Sequence, residues 1–203
     1  MPKVWSIDGI TPVVHPSAFV HPSAVLIGDV IVGAGAYIGP CACLRGDFGR
    51  IVVEEGANVQ DTCMLHGFPG KDTVVGAEAT IGHGAVLHGC VVQRGALIGM
   101  NCVVNDNAEV GEEAMVAALA FVKAEDRIPP RSLAVGIPAR VLRQLSAQEL
   151  GWKRDNMQLY RDLALRSSRT LREVEALTAV EEGRQRIDIP GAIPLSELKK
   201  KHG

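Results

Sequence analysis

The sequence predicts a mainly β protein, a parallel β-helix of hexapeptide repeats followed by a long C-terminal α-helix. Three observations carry this. Aliphatic residues recur at every sixth position, with Gly, Ala, Ser and Asp between them, which is the pattern of hexapeptide coils. Aromatic residues make up only 4% of the chain while glycines number 22, a composition suited to tight coils with small corner residues. Past the last repeat, Ser146-Ala147-Gln148-Glu149 reads as a capping box and opens an apolar stripe at helical spacing.

From Val14 the six-residue step runs through Val20, Leu26, Val32, Ile38 and Leu44 without interruption. It breaks at Arg50-Ile51-Val52, resumes at Val53, Val59 and Leu65, and meets an insert at 67–73. Beyond the insert it continues through Val75, Ile81 and Leu87. It then slips by one residue to Val92 and ends with Ile98, Val104, Val110, Val116 and Val122. These eighteen rungs make about six coils of three faces each. Such a coil buries a column of aliphatic side chains, and successive turns satisfy one another's backbone groups. The repeat domain is therefore expected over 1–127. Ile128-Pro129-Pro130 and Gly136-Ile137-Pro138 make a turn-rich crossover, which with the helix fills 128–182. The helix is expected to run about thirty residues, with Leu150, Met157, Tyr160, Ala164, Leu171 and Val174 on its apolar stripe. Lys153, Arg154 and Arg161 fall on the opposite, solvated face. Residues 183–203 read as a flexible tail.

A formal charge of -2 gives no argument for nucleic acid or an anionic membrane as partner. No run approaches the ~18 apolar residues of a spanning helix, and the N-terminal stretch has no signal core. Five cysteines lie inside the repeats with no CxxC pair, so they read as small buried or corner residues in a reducing compartment. The expected location is the cytoplasm.

Three of the six histidines, His66, His83 and His88, fall within 59–90. Leu65 and Leu87 lie three rungs apart once the insert is looped out, so they stack, and each is followed by a histidine. His66 and His88 should then sit on successive coils, about 4.8 Å apart, a spacing at which two imidazoles can share one metal ion. His83 lies on the preceding face and cannot easily reach that ion within its own chain. It could reach it from a neighbouring chain in a cyclic trimer. One such histidine would read as an ordinary turn residue; two stacked rings with a third at the next corner favour a metal site. His15 and His21 follow rung starts too, but are six residues apart, on adjacent faces, and read as exposed corner residues. Arg45 and Asp47 could form an ion pair, and Gln60 lies six residues before His66. Spacing alone gives these three no role beyond turn chemistry.

The motifs L-R-G-D-x-G-x-I at 44–51, N-x-Q-D at 58–61, I-G-H at 81–83 and L-H-G-C at 87–90 resemble those of the γ-class carbonic anhydrases. The similarity is greatest to the phenylacetic acid degradation (PaaY) branch, with the carnitine-operon relatives close behind. It extends from the H-P-S-A repeats to S-x-x-E-L-x-W-K at 146–153. The resemblance implies a left-handed β-helix, a homotrimer, and a zinc ion or another divalent metal such as iron(II) or cobalt(II) at each subunit interface. It implies His66 and His88 as ligands from one subunit and His83 from the next. Arg45 and Asp47 correspond to an inter-subunit ion pair, and Gln60 to the residue that positions the activated water. One departure matters. Phe48 stands where the prototype has a glutamate, and 67–71 lacks the acidic residue associated with proton export. The implied function is therefore a metal-dependent thioesterase acting on acyl-CoA in phenylacetate breakdown. Carbonic anhydrase is the alternative, with a hexapeptide acyltransferase or a non-catalytic scaffold behind it.

Overall fold

The computed structural model describes residues 2–200, with side chains through 197. It is a left-handed parallel β-solenoid of about seven turns. The three faces can be followed by register. One stacks Leu26, Leu44, Leu65, Leu87, Val104 and Val122. A second stacks Val32, Val53, Val75, Val92, Val110 and Ile128. The third stacks Val20, Ile38, Val59, Ile81, Ile98, Val116 and Ala134.

The rung residues point inward because side chains alternate along each short strand. Two positions earlier stands a second inward residue, almost always small: Ala24, Ala36, Ala42, Ala57, Cys63, Ala79, Ala85, Cys90, Ala96 and Cys102 are all buried. Large and small residues thus fill a narrow triangular section. Full burial of a Leu or Ile side chain contributes about 1.5–3 kcal/mol. Val14 and Val20, at the open end of the stack, are only half-buried.

The winding begins earlier and ends later than the six-step suggests. Lys3–Trp5 adds a strand beside Val25–Val32. At the other end Arg127–Ile128 and Ser132–Val135 join the faces, so the boundary expected at 127 falls inside the last coil. Arg140–Gln144 then turns back antiparallel on Ser132–Val135.

The break at 50–52 is absorbed by one long strand, Cys43–Val53, which bulges against Val25–Val32. Gly46 is required there: a Cβ would lie 2.3 Å from the Asp29 carbonyl oxygen. The insert loops out and is tied back by Thr73, whose hydroxyl donates to the His66 carbonyl (2.6 Å) and accepts from the Gly89 N–H (2.9 Å).

Helix α1 spans Ala147–Thr170. The capping box is present in both directions: the Ser146 hydroxyl accepts from the Glu149 N–H, and the Glu149 carboxylate accepts from the Ser146 N–H. Arg143 holds the same carboxylate with two bonds of 2.8 Å. Tyr160 and Ala164 pack on Phe19 and Tyr37. The helix is 24 residues long, shorter than expected, because Leu171 is already extended. Leu171 and Val174 are exposed instead of completing the stripe.

The solvated face expected for Lys153 is also corrected. Lys153 is buried, and its ammonium donates to the Glu113 carbonyl (2.5 Å) and more loosely to that of Ala114 (3.4 Å). Burial pulls its pKa down to about 8. The segment after α1 is not wholly loose: the Trp152 indole N–H donates to the Ile193 carbonyl (2.7 Å), and a short helix α2 follows at Leu195–Lys200. Residues 201–203 of the expected tail lie outside the described residues. No described helix is long and apolar enough to cross a membrane.

Candidate metal centre

His66 and His88 end paired strands, Met64–His66 and Val86–His88, in direct register. Inward burial of Leu65 and Leu87 forces both histidines to the outer surface of the same face. There His66 Nδ1 lies 3.1 Å from His88 Nε2. The second nitrogen of each ring is held by a carboxylate. His66 Nε2–H donates to Asp47 (3.1 Å), and His88 Nδ1–H donates to Asp106 in a short bond.

With those protons assigned, the two nitrogens that face each other are both lone pairs. Burial first, then the Arg45 charge, push the His66 pKa below the ordinary imidazole range against the pull of Asp47. That shift favours the neutral ring, the form in which an imidazole binds a metal. A carboxylate behind a ligating imidazole fixes its tautomer and orients it. Both rings have that support.

His83 is built the same way at the neighbouring corner. Its Nδ1–H donates to Asp61 in a short bond, leaving Nε2 for a ligand. Its backbone N–H donates to Gln60 Oε1 (3.2 Å), and Gln60 Nε2 donates to Asn58 Oδ1 (3.2 Å). Asn58 in turn donates to Thr80 (2.9 Å). Gln60 follows the inward Val59 and so lies on the outer side of its face, where it is buried and braces the backbone of His83. Arg45 and Asp47 form their ion pair within the chain, at 2.6 Å. The other oxygen of Asp47 takes the His66 proton, so Arg45 orients a carboxylate that orients a histidine.

The chain brings His66 and His88 together and leaves His83 apart. Among the described residues, no group of three or more histidine, cysteine or carboxylate side chains is arranged to hold a metal ion. The chain supplies a pair and a separate third ring.

Asp106 and Phe68 have no role in the sequence reading, and Asp61 enters it only as the last residue of the N-x-Q-D motif at 58–61. The signal for Asp106 was present, since it lies 18 residues after His88, one full coil. Phe68 comes from the insert and stacks beside His88 with centroids 6.1 Å apart; Phe48 lies 5.6 Å from His66. His15 and His21 behave as expected. Each Nδ1 lies 2.8 Å from the serine hydroxyl two residues on and accepts that serine's N–H. All five cysteines are free, three of them buried.

Residues 11–46 match the family model described as bacterial transferase hexapeptide (six repeats). Among curated proteins, the carnitine operon protein CaiE of Salmonella newport is 59% identical over 183 residues, covering 90% of this chain and 92% of that protein. Among solved structures, a hexapeptide transferase family protein from Anaplasma phagocytophilum superposes with a TM-score of 0.78 at 34% identity, covering 80% of this chain and 96% of that one. The BC4754 gene product of Bacillus cereus, crystallised as a candidate acetyltransferase, gives 0.79 at 32% identity, with coverage of 80% and 95%.

Proposed function

The chain belongs to the hexapeptide-repeat family of the carnitine operon proteins CaiE, and from that premise we propose that it is a metal-dependent hydrolase of acyl-CoA thioesters, working as a homotrimer. One observation carries the reading. The lone pairs of His66 Nδ1 and His88 Nε2 face each other at 3.1 Å, each ring being committed to a carboxylate through its other nitrogen. Two ring nitrogens so close are held by a shared proton or by a cation lying against both. Bonds of about 2.0–2.1 Å at a tetrahedral angle place two zinc-bound nitrogens roughly 3.3–3.4 Å apart, so the pair fits.

His66 and His88 of one chain and His83 of the next would hold zinc or another divalent ion, iron(II) or cobalt(II) among them. When bound, that ion supplies an activated water near neutral pH and polarises a carbonyl. The chain's own residues prepare the place. Asp47, Asp61 and Asp106 fix the three tautomers, Arg45 holds Asp47, and Gln60 sets where the third imidazole leaves the coil.

Two surfaces support assembly. Met64, Val86 and Val103 form an exposed apolar column beside the histidine pair. The corner that carries His83 continues through Met100 and Leu119, both exposed. Leu119 also holds a φ of +64°, a conformation in which an L side chain costs about 1–2 kcal/mol. The corner of one chain set against the column of another covers both and brings His83 to the pair.

Carbon dioxide hydration is the second reading, since it would use the same facing lone pairs. Phe48 and a loop at 67–71 without an acid offer it no proton exporter of the kind the prototype has. Phenylacetate breakdown, as the pathway, is the finest part of the proposal.

The test is metal analysis of purified protein, followed by parallel assays with acyl-CoA thioesters and carbon dioxide before and after chelation. Hydrolysis of a thioester that disappears with the metal and returns with it is the expected result. Rapid carbon dioxide hydration with every thioester untouched would make carbonic anhydrase the function.

A further inference from the structure

We infer that Phe48 and Phe68 form a two-sided apolar gate over the histidine pair that selects thioesters with an apolar acyl body over short or charged ones. This rests on the hydrolase reading above and adds the substrate class. One exposed phenylalanine would carry no message. Two, delivered by separate segments, one to each ring of the same histidine pair, do. Phe48 leaves the long strand Cys43–Val53 directly after Asp47 and is 66% exposed, with its ring 5.6 Å from that of His66. Phe68 comes from the insert and lies nearly parallel to His88, at 25° and 6.1 Å.

The second ring is held in place. A Cβ on Gly89 would lie 2.8 Å from Phe68 Cε1, and a Cβ on Gly49 would lie 2.6 Å from the Phe68 carbonyl oxygen. Glycine at both positions lets the insert sit down on the coil, and the two hydrogen bonds of the Thr73 hydroxyl, to the His66 carbonyl and from the Gly89 N–H, hold it there. The chain therefore sets an apolar ring beside each imidazole and holds the one beside His88 in place.

In the reaction itself water forms a C–O bond to the acyl carbon and the C–S bond breaks. One of the water's protons leaves with the coenzyme A thiol, and the other is released to solvent as the product acid ionises to a carboxylate. The rings take no part in that exchange. They act on the acyl body, where each fully buried methylene is worth roughly a fourfold gain in kcat/KM.

The experiment measures kcat/KM of metal-loaded protein for acetyl-CoA, hexanoyl-CoA and a quaternary-ammonium acyl-CoA of similar size, in wild type, Phe48→Ala, Phe68→Ala and Phe68→Leu. Wild type should favour hexanoyl over acetyl by roughly tenfold to a hundredfold. Each alanine variant should cut that ratio severalfold at unchanged metal content, and Phe68→Leu should restore most of it. A ratio near one in wild type, or one unmoved by both alanine variants, overturns the gate and leaves the hydrolase standing. Preference for the quaternary-ammonium thioester overturns it too, because the rings would then act as a cation–π site. If Phe48→Ala instead breaks the trimer in sedimentation, Phe48 is an assembly residue and the gate is wrong. If no thioester is cleaved by any metal-loaded protein, the hydrolase reading falls and the gate falls with it.

Discussion

His15 and His21 occupy the same place in their hexapeptides as His66 and His88, directly after an aliphatic rung, and nothing comparable happens there. The first two are six residues apart and so face different ways. Each is caught by its own serine two residues on. The second two are 22 residues apart, one coil plus the insert and its correction, and end in register on one face. No serine follows them, and their partners are carboxylates from other coils, Asp47 and Asp106. A histidine in this fold becomes a ligand candidate through what is stacked above and below it; the repeat position alone is not enough.

The largest expected effect separates the two pairs outright. His88→Ala should reduce metal content to background, whereas His21→Ala should leave it at the wild-type level. Elemental analysis of both purified proteins decides this; equal metal in the two would erase the distinction. A smaller step tests the carboxylate behind the ring. Asp106→Asn keeps the shape but offers a weaker acceptor, and should cost about 10–100-fold in metal affinity, read by competition with a chromogenic chelator. Removing the serine partner, with Ser23→Ala, should leave affinity alone.

The same contrast of ends and middle appears in stability. Leu65→Ala opens a cavity in a fully buried stack and should cost about 2–5 kcal/mol. Val14→Ala, at the half-buried end, should cost well under half as much. Denaturant midpoints at matched metal loading check the order. The smallest effect is pH-dependent and lies on the helix. Lys153 has a folded pKa of about 8, below its ordinary 10.5. Between those values the unfolded chain binds a proton that the folded chain does not, so stability rises with pH across that window. Relative to wild type, Lys153→Met should lose that rise; parallel curves from pH 8 to 10 would show that the ammonium's burial is not felt.

How much of this could be read from the chain follows from which distances are local. The rungs were legible because a six-residue period leaves an unbroken trace, and the pairing of His66 with His88 followed once the insert was set aside. Asp106 was not noticed because Asn105-Asp106-Asn107 looks like any tight corner; only counting 18 residues back to His88 gives it a partner. Lys153 was misplaced because a helix wheel shows which residues share a face, while the groove beside Glu113 decides what that face meets. The strand Lys3–Trp5 was missed for lack of a full hexapeptide before it. Phe68 was hidden in the insert, where no period operates.

The proposed metal site is shared, with His66 and His88 from one chain and His83 from the next. Co-expressing a His83→Ala chain with a His66→Ala/His88→Ala chain tests it most directly, because each protein alone lacks part of the set. In randomly mixed cyclic trimers about a quarter of the interfaces join an intact pair to an intact His83. Each variant alone should be metal-free, and the mixed protein should regain roughly that quarter of wild-type metal. Metal retained by the His83→Ala protein alone, or none regained by the mixture despite demonstrated mixed trimers, would contradict it.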